Sequence, residues 1–264
     1  MALPPVGLTP HHELCGPRDA SASAIVLLHG LGSSSADWKF QIPAFSERNR
    51  VIVADLRGHG RSASPRGFMR IEDMAEDVAA LLERLGEPAA HVVGLSLGGC
   101  VALALTLAAP ARVRSLTLVN AFARLRPSGV PALLRIATRA ALITAAPMRV
   151  LAAHVARGLF PRPAQRDLYL AAAASLCRTP RSVYAASARA LMRFDVAARL
   201  GEIACPTLVI AGAIDQTVPL AAKEALTRGI PGARLVVLPD SGHATPVDAP
   251  DAFNQAVLDF VAAH

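Results

Sequence analysis

The chain has 264 residues, 53% hydrophobic and 18% charged, with 27 Lys and Arg against 20 Asp and Glu for a formal charge of +7. That is apolar material enough for a full core, which excludes intrinsic disorder, and the length fits one α/β domain with an insertion or two small domains. No apolar run reaches the roughly 18 residues a bilayer span needs; the longest candidate, Ala140–Pro147, is flanked by Arg139 and Arg149. Met1–Pro10 has neither a basic n-region nor an apolar h-region, and Cys15, Cys100, Cys177 and Cys205 show no CxxC pair and no metal-ligand spacing. The expectation is a reduced, cytoplasmic protein without a membrane span, metal or cofactor.

In chain order, Ala24–Leu28, Val51–Ala54, His91–Gly94 and Ser115–Asn120 read as strands buried on both faces. Between them Ile71–Leu85 is an amphipathic helix, with Ile71, Met74, Ala75, Val78, Leu81, Leu82 and Leu85 on one side and Gly86 with Pro88 at its end. Ala121–Leu200 holds no convincing strand, only about four Ala/Leu/Arg-rich helical patterns punctuated by Pro127, Pro131, Pro147, Pro161, Pro163 and Pro180. The alternation then resumes with strand Thr207–Ala211, a helix from Leu220, strand Arg234–Leu238 and helix Ala252–Ala263. Strands and helices alternating at this spacing predict a mostly parallel sheet covered on both faces.

The charge is unevenly placed. Between Ala121 and Leu200 there are thirteen arginines, no lysine and two acids, so this segment carries +11 and the rest of the chain −4. Two readings follow: arginines that attract an anionic substrate, or a solvated arginine face on amphipathic helices. A nucleic-acid partner is disfavoured, because the segment has few aromatics and no binding motif.

The chemistry centres on Val92–Cys100, VVGLSLGGC. A strand delivers Gly94-Leu95-Ser96-Leu97-Gly98-Gly99 and the helical run Val101–Ala109 leaves it; a serine on so sharp a turn needs small neighbours two positions to either side. A serine hydroxyl is a weak nucleophile until a base takes its proton and an acid orients the base. Asp215, in GAIDQTVP, and His243, in PDSGHATP, each follow a predicted strand and so reach the same sheet edge as Ser96. Asp240 and Asp248 are rival acids, but Asp240 lies only three residues before His243 and Asp248 is placed to begin or cap the last helix. Oxyanion donors are expected from the backbone N–H of Leu97, at a helix start, and of Leu31, in His29-Gly30-Leu31-Gly32. Gly30, Trp38 and Leu95 are candidate pocket residues; His29 and His59 read as structural hydrogen-bonding groups, and His11 and His12 have no metal-partner spacing.

With these pieces in place, the chain resembles the α/β-hydrolase fold enzymes in LLHGLGSSSADW (Leu27–Trp38), VIVADLRGHGRS (Val51–Ser62), GLSLGG (Gly94–Gly99), PTLVIAGAIDQTVP (Pro206–Pro219) and LPDSGHATPVDAP (Leu238–Pro250). The pattern is most similar to the esterase, enol-lactonase and cofactor-free haloperoxidase branch. The resemblance implies an eight-stranded sheet, a core of residues 1–120 and 201–264, and a helical cap of residues 121–200. Only about twenty residues precede Ala24, so the first strand is expected to be short or missing. Serine at position 96 excludes the alkyl-enzyme chemistry of haloalkane dehalogenases and epoxide hydrolases, which carry aspartate there. The glycine–proline loop and asparagine–tryptophan of the carbon–carbon bond hydrolases are absent, with Asp37-Trp38 standing instead. Three functions remain: hydrolysis of small carboxylic esters; action on an enol-lactone or a carrier- or CoA-linked ester, favoured if cap arginines face the pocket; or ligand binding without catalysis.

Overall fold

The computed structural model describes residues 8–17, 19, 22–64, 69–126 and 129–264; Pro127 and most of the Met1–Pro10 stretch lie outside them. The described strands form one sheet in the order β1-β3-β2-β4-β5-β6-β7. They are β1 (His12–Cys15), β2 (Ala24–Leu28), β3 (Arg50–Ala54), β4 (Ala90–Leu95), β5 (Val113–Val119), β6 (Thr207–Gly212) and β7 (Arg234–Leu238). β1 runs antiparallel to β3 and every other pairing is parallel. The described sheet thus has seven strands where the resemblance implied eight. Prolines confine its first strand: Pro10 and Pro17 lack the N–H a ladder needs, and Gly16 turns at φ +87 where a Cβ would meet Asn49 O at 2.3 Å.

Side chains alternate across the strands and fill two apolar layers. Val26, Leu28, Ile52 and Val92 face α2 (Ile71–Arg84) and α3 (Leu97–Ala108), joined after the insertion by Leu226 of α8 (Leu220–Gly229). Ile25, Leu27, Val51 and Val53 face the other way, onto Phe45 of α1 (Ile42–Phe45) and Phe253, Val257 and Phe260 of α10 (Pro250–Ala262). The predicted face of α2 is buried except at Leu85, which is half-buried and caps the helix, and the buried residues also include Asp77, whose carboxylate takes two bonds from Arg57, Nε at 2.6 Å and Nη2 at 2.7 Å.

Between β5 and β6 run α4 (Gly129–Ala145), α5 (Met148–Leu159), α6 (Arg166–Arg178) and α7 (Arg181–Arg193). Pro147 and Pro180 stand immediately before α5 and α7, where a missing N–H breaks no helical bond. Leu151, Ala152, Val155, Ala156, Leu176 and Tyr184 form a small core of their own, and Leu31 packs against both this cluster and the main one. The segment enters and leaves the sheet at one point, where Arg124 and Asp195 bridge and Val196 N–H donates to Ala123 O at 3.0 Å. Of its thirteen arginines only Arg139 and Arg181 are half-buried, bonded to Tyr184 Oη and Ile143 O; the others are exposed, the solvated face of the two readings. Among the described residues no helix is long and apolar enough to cross a membrane.

α9 (Thr245–Asp248) separates the His243 loop from α10. Asp248 closes α9 and caps no helix, contrary to expectation.

Candidate active site

The chain places β2, then β3 to one side and β4 to the other, so a crevice opens where the order reverses, above the C-terminal ends of β2 and β4. Leu28 pairs with Gly94, Leu95 with Val119, Val119 with Ile210 and Gly212 with Leu238. These registers bring the His29–Gly32 loop, Ser96, Asn120, the Asp215 loop and the His243 loop to one edge.

Ser96 sits at φ 53 and ψ −106, a conformation a non-glycine residue holds at a cost of about 1–3 kcal/mol. Its neighbours explain why it can. A Cβ on Gly94 would lie 2.3 Å from Gly98 O, one on Gly98 2.1 Å from Leu28 O, and one on Gly99 2.5 Å from the Ala121 Cβ. Ser96 N–H donates to Val119 O at 2.9 Å, and its carbonyl takes Cys100 N–H at 3.1 Å. Leu97, the first residue of α3, has an N–H with no intrahelical acceptor, at the positive end of the helix dipole.

Asp215 and His243 meet: His243 Nδ1 lies 2.9 Å from Asp215 Oδ2. The carboxylate can only accept, so Nδ1 carries the hydrogen and Nε2 is left with its lone pair. Oδ1 of Asp215 takes the backbone N–H groups of Thr217 and Val218 at 2.7 and 3.1 Å, and Oδ2 also takes Lys223 Nζ at 2.7 Å. Burial alone would raise the Asp215 carboxyl, but the His243 ring and the Lys223 ammonium outweigh it and hold the group well below the usual carboxylate range. Asp240 contributes only its carbonyl, to Arg162. Asp248 accepts from Ser241 Oγ and Gly242 N–H, both at 2.7 Å, and so shapes the turn that carries His243.

The His29–Gly32 loop is fixed from beneath and above. Leu56 N–H donates to His29 Nε2 at 2.9 Å, which puts the ring hydrogen on Nδ1, facing Gly30 O at 2.8 Å. From the helical segment, Thr179 Oγ1 donates to Gly32 O at 3.0 Å. Gly32 is needed at φ +77, and a Cβ there would meet Leu176 at 2.6 Å and Tyr184 at 2.9 Å. Close approach of those helices, rather than of a ligand, is what the glycine permits. Gly30 is buried, and a Cβ would find only ordinary contact with Leu95, which is itself 6% exposed within the apolar layer. Trp38, a candidate pocket residue, is 1% exposed and packs on Phe253 beneath the sheet, which leaves it no surface for a substrate.

Two residues at this edge were not singled out from the sequence: Asn120 and Lys223. Asn120 is fully buried at φ 45, and its Oδ1 takes Gly212 N–H at 2.9 Å. Its Nδ2 donates toward Gly242 O, His243 O and Thr245 Oγ1 at 3.1, 2.8 and 2.7 Å. One amide therefore ties the ends of β5 and β6 to the His243 turn. Its only sequence signal is a polar residue closing a buried strand.

Burial also sets a pH dependence. It drives the His59 ring down to about 3 and the His91 ring down to about 4, and it lowers His29 as well. An unfolded histidine titrates near 6.5, so below that pH the unfolded chain binds more protons and stability falls as pH falls toward 4. Urea unfolding at pH 7 and pH 4.5 is expected to differ by at least about 2 kcal/mol; equal midpoints and slopes would refute this.

The comparisons with known proteins agree with this fold. The family model for the alpha/beta hydrolase fold matches residues 23–250. A relative from Variovorax paradoxus (strain S110), named "Putative carbamate hydrolase RutD", is 39% identical over 260 residues, 96% of each chain. A hydrolase from Pseudomonas aeruginosa PA01 is similar in structure, with a TM-score of 0.85 and 37% identity, over 95% of this chain and 93% of that one. The enol-lactonase from Burkholderia xenovorans LB400 has a TM-score of 0.87 and 31% identity over 96% of both chains.

Proposed function

Because the chain belongs to the α/β-hydrolase fold family, we propose that it is a serine hydrolase that cleaves small carboxylic esters or lactones through an acyl-enzyme on Ser96. The observation that carries this is the His243–Asp215 bond, which leaves Nε2 as a base at the edge that bears a strained serine. Ser96 Oγ attacks the carbonyl carbon while its proton passes to His243 Nε2. The carbonyl oxygen becomes an oxyanion, received by the N–H groups of Leu31 and Leu97. The C–O bond to the leaving group breaks as His243 returns the proton to that oxygen. Water then repeats the sequence on the acyl-enzyme and releases the acid. Asp215 keeps the ring in one tautomer and stabilises its cation.

The helical segment 121–200 acts as the cap. It is anchored at both sides of the crevice, by Thr179 on Gly32 O and by Arg162 on Asp240 O. Its arginines form a solvated face, so substrate choice rests on the apolar residues beneath.

A second reading, a carbamate as substrate, is favoured by the name of the Variovorax relative. Nitrogen donation makes a carbamate carbonyl less electrophilic than an ester, so the same site would lean harder on its oxyanion donors.

A fluorophosphonate probe is expected to label the wild type and not Ser96→Ala, whose kcat on p-nitrophenyl acetate falls by roughly 10³-fold or more. Absence of both labelling and turnover in the wild type would leave a ligand-binding protein instead. Parallel rates on a lactone and an N-alkyl carbamate separate the two substrate readings.

A further inference from the structure

A buried lysine needs an explanation, because lysine is almost never fully buried without a partner. Lys223 is 0% exposed, on a helix whose only other buried residue is Leu226. Side chains on a helix lean toward its N-terminus, and this one reaches back to Val218 O at 2.6 Å and Asp215 Oδ2 at 2.7 Å. His243 Nδ1 contacts the same carboxylate oxygen.

We propose that Lys223 is a positioning residue of the hydrolytic site, which clamps the Asp215 carboxylate and, through it, sets how readily His243 gives up its proton. The inference rests on the serine-hydrolase reading above. As a loop tether alone the lysine would be excessive, since two backbone N–H groups already hold Oδ1 and a neutral donor would satisfy Val218 O. An ammonium on Oδ2 does something more. It offsets the carboxylate charge that the ring faces, so the imidazolium gains less from Asp215 than it would from an unpaired carboxylate.

Among the described residues no other charge at this point competes. Asp215 feels His243 and Lys223, and the lysine feels Asp215. On α8 itself Glu224 pairs with Arg228 at the surface, and on the neighbouring short helix Ala197–Glu202 the exposed Arg199 pairs with Glu202. Arg234 lies exposed at the start of β7. Asp248 faces Ser241 and Gly242 from the far side of the turn.

The test is the pH profile of kcat/KM on p-nitrophenyl acetate for wild type and Lys223→Met, with folding checked by circular dichroism. The acidic limb is expected to move up by about one pH unit or more, while the alkaline plateau stays within about tenfold. A purely structural lysine would change the amount of folded enzyme and leave the limb where it is. A folded variant whose limb coincides with the wild type, or moves down, overturns the proposal. If Lys223→Met does not fold, Lys223→Gln, which keeps a neutral donor, is read the same way; failure of both to fold assigns the lysine to structure alone and also overturns it. An active, labelled wild type with an unmoved limb removes this inference only, whereas a wild type with neither labelling nor turnover removes the serine-hydrolase reading and this one with it.

Discussion

Asp215→Asn is expected to lower kcat by about four orders of magnitude and, separately, to remove about 3–5 kcal/mol of stability. The first effect follows from the ring: an amide NH₂ turned toward His243 Nδ1 forces the hydrogen to Nε2, where the base must be empty. The second follows from Lys223, fully buried with Asp215 as its charged partner among the described residues. Asn can still accept the N–H groups of Thr217 and Val218 through its oxygen, but its nitrogen then faces both the ammonium and the ring. An ammonium has no lone pair to offer in return. The lost stability is expected to recover as pH rises: the buried amine holds its proton less tightly than the unfolded one, so the unfolded state binds more protons and stability climbs toward alkaline pH.

Asp248→Asn provides the contrast. Its partners are a hydroxyl and one backbone N–H, and Ser241 Oγ can rotate to accept from the new amide while still lying 2.9 Å from Thr245 Oγ1. Activity within about tenfold of wild type is expected, because no charge is stranded. Kinetics and urea unfolding on both variants decide the matter. If Asp248→Asn were the crippled one, the acid would have been misassigned.

The second large effect is expected at Asn120. In Asn120→Asp the acceptor for Gly212 N–H survives, but His243 O loses its donor and faces an oxygen instead, while Gly242 O keeps the Thr245 hydroxyl. An unsatisfied buried group costs about 1–3 kcal/mol, and a loss on that scale is expected. kcat/KM should fall by about 10²-fold, the scale on which a displacement near 1 Å at a catalytic group acts. The measurement is thermal unfolding together with the rate of fluorophosphonate labelling. A variant within tenfold of wild type in rate and with the same melting temperature would show that the His243 turn holds its place unaided.

These residues also show where sequence reading stops. The elbow at Ser96 was legible because its constraint is local: small residues at fixed offsets, between a strand and a helix. Asp215 and His243 were legible because each follows a strand, and parallel strands end at one edge. Asn120 reaches partners more than 120 positions away, so nothing beside it in the chain announces its task. Lys223 sits in LAAKEAL, which reads as a solvent-facing stretch until the Asp215 loop folds over it. Trp38 went the other way: aromatic and near the oxyanion loop in sequence, it turns under the sheet to meet Phe253. The first strand of the described sheet is short, and its bounds at His12–Cys15 emerged only in the register with β3.

The glycines around Ser96 have a consequence for how such a chain can change over time. Gly94 against Gly98 O, and Gly98 against Leu28 O, bring main chain onto main chain with no side chain between them. The distance from the Ser96 turn to the end of β2 is therefore independent of which aliphatic residues fill the layers above and below. Leu, Val and Ile can be exchanged in the core over many generations while the reacting geometry is inherited unaltered. Latitude in the interior and constancy at the crevice are separate properties here, divided by a seam made of backbone.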